Sequence, residues 1–245
     1  MNRRLKIWML LLALTGVGQA AADAPVQPPQ PPGGISISPV RIDLQPKQHA
    51  AAITVSNAGS DEKLIQVETM DWTHPMGEDR YVPARGLVVN PPLFRLAAGA
   101  SQVVRIGLAR QVQPDAAVEK AFRLFVQELP KQTASQSSQL QMLLRIGVPV
   151  FIKPLQPARA DLQWTLSRTG DAGLALHVHN KGSLHERVSN LKLEPGEAID
   201  GFAYVLPGQD RSWIIKQQPD APLPKTLKAV TEGEPVNVEL APPAP

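Results

Sequence analysis

The chain of 245 residues carries 25 Lys+Arg against 22 Asp+Glu, has no cysteine, and is 43% hydrophobic and 19% charged. That is the composition of a globular protein with room for one large domain or two of roughly 100–120 residues. The lack of cysteine excludes disulfides, thiol catalysis and thiolate metal sites. The 25 prolines argue against long helices, because each interior proline costs ~3 kcal/mol, and 4% aromatics leaves little to stack single-stranded nucleic acid.

At the start, Arg3, Arg4 and Lys6 precede an apolar run over 7–17 and then Ala20-Ala21-Ala22. Positive start, short apolar middle and small-residue end describe a secretory signal peptide over 1–22. The run is too short for the ~20 residues of a membrane span. Its removal takes three positive charges and no negative ones, leaving 22 against 22 and no net basic character to attract nucleic acid. Residues 23–34 are rich in proline and glycine and are expected to form an extended, flexible lead-in.

From Ile35 onward, short segments of period-two alternation are separated by Gly, Pro, Asn and Asp. Ile35, Ile37, Val40, Ile42 and Leu44 surround Pro39, which suggests an edge strand kinked or switched at the proline. Further strands are expected over 52–56, 64–72, 93–96, 102–108, 121–129 and 140–152, with a loop or one short helical turn over 112–120. About seven strands in roughly 120 residues is the density of an immunoglobulin-like sandwich. Pro154-Leu155-Gln156-Pro157 reads as a linker. A second series follows over 162–166, 174–178, 188–193, 202–206, 213–216 and 236–240, with no tandem repeat. The expected fold is all-β, two immunoglobulin-like β-sandwich domains in series, at 35–155 and 156–240, with a tail over 241–245.

Few residues suggest chemistry. His177 and His179 share a strand face at a spacing that could chelate a metal, but no third ligand is near in sequence, which favours two polar residues on a solvent face. Asp61-Glu62 and Glu78-Asp79 sit in turn-like contexts and read as solvated loops rather than an acid/base pair. No nucleophile elbow, zinc-protease motif or phosphate loop occurs. No catalytic residue, metal or cofactor is expected.

One segment does not suit a self-contained sandwich. Over 139–152, Leu140, Met142, Leu144, Ile146, Val148 and Val150 alternate with Gln141, Leu143, Arg145, Gly147, Pro149 and Phe151. Fourteen extended residues would reach ~46 Å, well beyond a usual strand. Pro149 cannot donate to a ladder and places its part of the strand at an edge or bend. A long apolar edge strand is an aggregation template unless it serves as a binding edge. Two readings stay open on pattern alone: an ordinary core strand, or a strand whose Leu140, Met142 and Leu144 face outward toward a partner.

The motif Asn90-Pro91-Pro92-Leu93-Phe94-Arg95-Leu96, followed by Gly99 and Val104-Arg105-Ile106, resembles the first domain of periplasmic pilus chaperones of the chaperone-usher pathway. Phe122-Arg123-Leu124-Phe125-Val126-Gln127-Glu128-Leu129-Pro130 and Val148-Pro149-Val150-Phe151-Ile152-Lys153-Pro154 are similar to that family's strand before the long donor strand and its exit into the linker. The likeness covers about 35–157 and is weaker beyond, resting there on Val178-His179-Asn180-Lys181-Gly182 and Arg187-Val188-Ser189-Asn190-Leu191.

This resemblance implies a two-domain boomerang that binds pilin or fimbrial subunits in the periplasm by donor-strand complementation and delivers them to an outer-membrane usher. It implies neither nucleic-acid binding nor stable membrane insertion. Carried over by position, Leu140, Met142 and Leu144 would be donated, with Ile146 a fourth, and 131–138 would be a loop that orders on binding. The family holds the subunit's terminal carboxylate with two cations. Arg41 matches the first, while Pro149 falls near the expected donor-strand lysine, a departure that looks more like the archaic or alternative systems. Arg145, Arg123 and Lys153 are the substitute candidates. The rival reading is a secreted β-sandwich adhesive or carbohydrate-binding module, which predicts a cleft with exposed aromatics.

Overall fold

The computed structural model describes residues 34–110, 114–130, 142–169, 173–216 and 222–241. The signal peptide at 1–22, nearly all of the lead-in, Leu140, the 131–138 loop and most of the tail lie outside the described residues.

Ten strands build the first half: β1 (Ile35–Ser38), β2 (Ile42–Leu44), β3 (Ala50–Asn57), β4 (Lys63–Thr73), β5 (Arg80–Pro83), β6 (Leu87–Asn90), β7 (Leu93–Leu96), β8 (Ser101–Leu108), β9 (Lys120–Leu129) and β10 (Arg145–Ile152). One sheet has the order β1-β3-β8-β6, and the facing sheet runs β2-β10-β9-β4-β5 with β7 on the other end of β4. Pro39, after a cis peptide bond, divides the first segment as the sequence suggests. β1 pairs antiparallel with β3 in one sheet, and β2 pairs parallel with β10 in the other. Alternate residues fill the space between them, among them Ile53, Val55, Ile65, Val67, Val104, Ile106, Leu124, Val126, Val148, Val150 and Ile152.

The second half contains β11 (Leu162–Thr169), β12 (Gly173–Asn180), β13 (Glu186–Glu194), β14 (Ala198–Val205), β15 (Asp210–Lys216), β16 (Thr226–Thr231) and β17 (Glu234–Glu239). They form a sheet β11-β12-β15 against a sheet β14-β13-β16-β17. In β13, Asn190 takes φ 52° where the register shifts. This bulge lets Val188, Leu191 and Leu193 all point inward despite their uneven spacing. The all-β fold of two immunoglobulin-like sandwiches in series is as expected.

Three strands were not apparent in the sequence: β5, β6 and β16. The larger difference concerns the long strand. β10 starts at Arg145, and Met142 to Leu144 are irregular and exposed. The reason lies in its neighbour: Gln127 of β9 faces Arg145, the Glu128 amide donates to the Leu144 carbonyl, and β9 ends at Leu129. Beyond that point β9 offers no further ladder. The 114–119 segment is a loop, in which the Asp115 carboxylate accepts from the amides of Ala117 and Val118.

The two sandwiches meet on a third apolar cluster of Trp72, Phe151, Tyr204 and Leu206. Around it, polar contacts cross from one half to the other: Arg211 to Asp79, the His74 amide to Gln209, and His185 to Glu119. Phe151 stacks on His185 with ring centroids 3.5 Å apart.

Candidate functional site

The ladder of β10 is lopsided. On one side β9 pairs with it along its whole length, from Arg145 to Ile152, while on the other β2 covers only Val150, Phe151 and Ile152. Among the described residues, the stretch from Arg145 to Pro149 is therefore an open edge, and Pro149, which lacks an N–H, lies where that edge meets β2. Immediately before it stand Met142, Leu143 and Leu144, with 82%, 40% and 40% of their surface exposed. Ile146 is half-buried at the end of the core row that continues through Val148, Val150 and Ile152. Leu140 lies outside the described residues.

The opposite face of β10 looks into a cleft between the sandwiches. There Arg41, Arg123, Gly147, Pro149 and Val40 from the first half, and Arg187, Phe202 and Tyr204 from the second, enclose a cavity of about 530 Å³. Arg123 sits directly across the ladder from Pro149. Its guanidinium carbon lies 4.2 Å from the centre of the Trp72 ring, a cation–π contact, and its buried Nε has no hydrogen-bond partner. Gly147 makes room for it: a Cβ there would stand 3.1 Å from Phe125 Cε1 and 3.3 Å from Arg123 Nε.

Arg41 is already engaged. Its Nε donates to Asp43 at 2.8 Å and its Nη1 to both oxygens of Glu232 at 3.1 Å. Burial works against its charge, but the hydrogen bond and attraction from Glu232, with Asp43, hold it above the usual arginine value. Lys153 lines a smaller adjoining cavity of about 220 Å³ with Arg41, Glu119, His185 and Glu232. Arg145 lies apart, its guanidinium 3.9 Å over the Phe125 ring and 3.9 Å from Glu68. Thus Arg41 and Arg123 share a cavity, Lys153 stands behind Arg41, and Arg145 is at the outer end of the open edge.

Sequence reasoning missed Gly147, Arg187, Phe202, Tyr204 and Glu232. Four of these come from the second half, and no spacing in the chain signals that they face β10. Asp79, read as a solvated loop residue, is instead part of the junction: it accepts from Trp72 Nε1 at 2.7 Å and from Arg211 at 2.5 Å. Although burial opposes its charge, bonds from His74 and Trp72 and the Arg211 charge hold its carboxyl far below the ordinary carboxylate range. His177 lies between Ser167 and Ser212, and His179 Nδ1 is 2.8 Å from Asp210. Among the described residues no three His, Asp or Glu side chains converge on a metal position. No helix among them is long and apolar enough to cross a membrane.

Two sandwiches in series, with an interrupted edge strand beside a basic cleft, define a class of two-domain immunoglobulin-like proteins. Residues 34–158 match the family of pili and flagellar-assembly chaperones, PapD N-terminal domain. The chain belongs to this family, the pilus-assembly chaperones of the chaperone-usher pathway.

Solved structures share the fold. A chain of the chaperone–tip adhesion subunit pre-assembly complex CsuC–CsuE, from archaic Csu pili of Acinetobacter baumannii, is 21% identical with a TM-score of 0.68, covering 84% of this chain and 98% of that one. The E. coli chaperone DraB is 21% identical with a TM-score of 0.60, covering 85% and 97%. A chain of the Salmonella enterica SafA pilin–SafB chaperone complex is 19% identical with a TM-score of 0.61, covering 84% and 96%. A comparison with curated proteins returns no match.

Proposed function

We propose that this protein is a periplasmic chaperone that captures pilus subunits by donor-strand complementation and passes them to an outer-membrane usher. The observation that carries the reading is the open edge of Arg145 to Pro149, continued by the exposed Met142 and Leu144. A subunit lacking a strand gains main-chain bonds from such an edge, and alternate side chains fill its groove. Leu140, Met142 and Leu144 are the donated residues, and Ile146 a fourth. Each buries ~1.5–3 kcal/mol of apolar contact before the cost of ordering the segment. The structures of CsuC with CsuE and of SafB with SafA are complexes of a chaperone with a pilus subunit, and agree with this partner.

The subunit's terminal carboxylate is met in the cleft by Arg123, which occupies from β9 the place that a lysine at position 149 would serve from β10. Arg41 borders the same cavity with its charge shared by two carboxylates, while Lys153 and Arg145 are poorer anchors on position alone. The rival glycan-binding reading asks for exposed aromatic platforms. Here Trp72 is buried in the junction, and Trp164 and Trp213 stack on each other against the second core.

Co-expression with a pilin-like subunit tests the reading: a stable 1:1 complex is expected. Met142→Asp with Leu144→Asp should abolish capture, by more than 100-fold in affinity, with an unchanged melting curve. Full capture by that double variant would remove the donor-strand assignment.

A further inference from the structure

The cleft cavity is larger and more apolar than a carboxylate requires. At about 530 Å³ it falls in the range of small-ligand sites, whereas a carboxylate takes the room of one or two waters of ~30 Å³ each. Its mouth is marked by two apolar residues that a sandwich would normally hide, Val40 at 74% exposure and Phe202 at 60%. Tyr204 meets Phe202 edge-to-face, with centroids 6.0 Å apart, and closes the floor.

The charges in the cavity are unevenly satisfied. Arg41 faces Asp43 and Glu232, so its charge is fully offset. Arg187, on β13, lies with its guanidinium carbon 4.4 Å over the Phe202 ring, and among the described residues it forms no ion pair. Arg123 likewise lies on an aromatic face, with a buried Nε lacking a hydrogen-bond partner. Two guanidiniums, one from each sandwich, therefore border one cavity without a carboxylate partner: Arg187 rests on the Phe202 ring, and Arg123 on the Trp72 ring and a hydrogen bond with Tyr81. Such a pair favours an anion, and guanidinium binds carboxylate by two parallel hydrogen bonds.

We infer that the second sandwich completes the terminus site: Arg187 and Arg123 together hold a chain-terminal carboxylate, and Phe202, Tyr204 and Val40 receive a large apolar or aromatic last side chain. This rests on the reading that the cleft takes a subunit terminus. It adds a specificity: the guest is selected by its final residue, through a wall that the donor strand does not supply.

The test uses the purified full chain and three short peptides: N-acetyl-Ala-Ala-Phe as the free acid, the same peptide as its C-terminal amide, and N-acetyl-Ala-Ala-Ala as the free acid. Binding is read by titrating amide and arginine side-chain NMR resonances. The Phe acid should bind at least tenfold tighter than the amide or the Ala acid, with shifts centred on Gly147, Arg123 and Arg187. Arg187→Gln should lose about tenfold. Phe202→Ala should erase the preference for Phe over Ala but keep the preference for acid over amide. Arg95→Gln, on the outer surface, should leave binding unchanged.

Equal binding of acid and amide, wild-type binding by Arg187→Gln, or no binding by the wild type at millimolar peptide would each overturn the inference. Subunit capture reads the other site separately. Loss of capture in the Met142/Leu144 double variant, with a peptide titration indifferent to Arg187, would leave the donor strand standing without this second wall. The expected peptide pattern in a chain that captures no subunit would do the reverse.

Discussion

Asn57 closes β3 and Asn180 closes β12, both almost fully buried. Asn57 Nδ2 reaches the carbonyls of Asp61, Leu96 and Ala97, and its Oδ1 accepts from the Gly59 amide. Asn180 does the same with Leu184, Val205 and Gly182, and also accepts from the Asp161 amide. Each stands in a Val-x-Asn-x-Gly segment, at 55–59 and 178–182. Truncating either to alanine strands several buried backbone groups and should cost about 2–4 kcal/mol in denaturant unfolding. The two losses should add, because the residues share no partner. The sequence held this signal, since the motif occurs twice. Without a tandem repeat around it, a five-residue match resembles any turn. Its meaning appears only when each asparagine is seen tying together loops of its own sandwich.

At the scale of elements, most strands were legible because each alternates against a core on one side. β16 was not: Leu227 and Ala229 point inward, but Lys228 between them, threonines at both ends of the strand and prolines before it dilute the pattern. The opposite error befell β10. Its alternation runs on past Arg145, so the sequence reads as one strand, yet a strand extends only as far as its ladder partner. Gly147 was equally hidden, being one glycine among many until Arg123 is seen lying across it. Gly147→Ala should leave the fold intact, because Phe125 and Arg123 need shift only by tenths of an ångström, at a cost of ~1 kcal/mol. It should nonetheless displace Arg123 and weaken subunit capture severalfold, measured by competition with the unaltered chain. Unchanged capture would mean that the Arg123 position does not matter.

Across the whole molecule, the sandwiches are joined by contacts between residues far apart in sequence, from Phe151 with His185 to Arg41 with Glu232, which no local pattern encodes. His74, with a side chain sealed from solvent, stands 3.0 Å from both Asp79 and Arg211. Burial holds its imidazole below the ordinary 6.5, and Asp79 is held below its ordinary 3.8. Both groups bind protons more weakly folded than unfolded, so both contribute stability that fades on acidification. For His74 the loss begins as pH falls below about 6.5; for Asp79 it begins below about 4. Melting temperatures measured from pH 7 to pH 3 should fall in that order. His74→Gln should flatten the upper part of the curve and Asp79→Asn the lower part; a profile indifferent to both would show that the junction does not govern acid stability.

The short reach of β2 has one more effect. A guest strand laid on the free edge of β10 can advance only until it abuts Ile42, where β2 already holds Val150. On the proposed reading its position would be counted from its own last residue, as on a ruler whose zero mark is Ile42, in steps of ~3.3 Å. Adding one residue to the guest's terminus would turn every inward side chain outward. Such a site would measure distance to a chain end, and so would separate a true terminus from the same sequence in the middle of a chain.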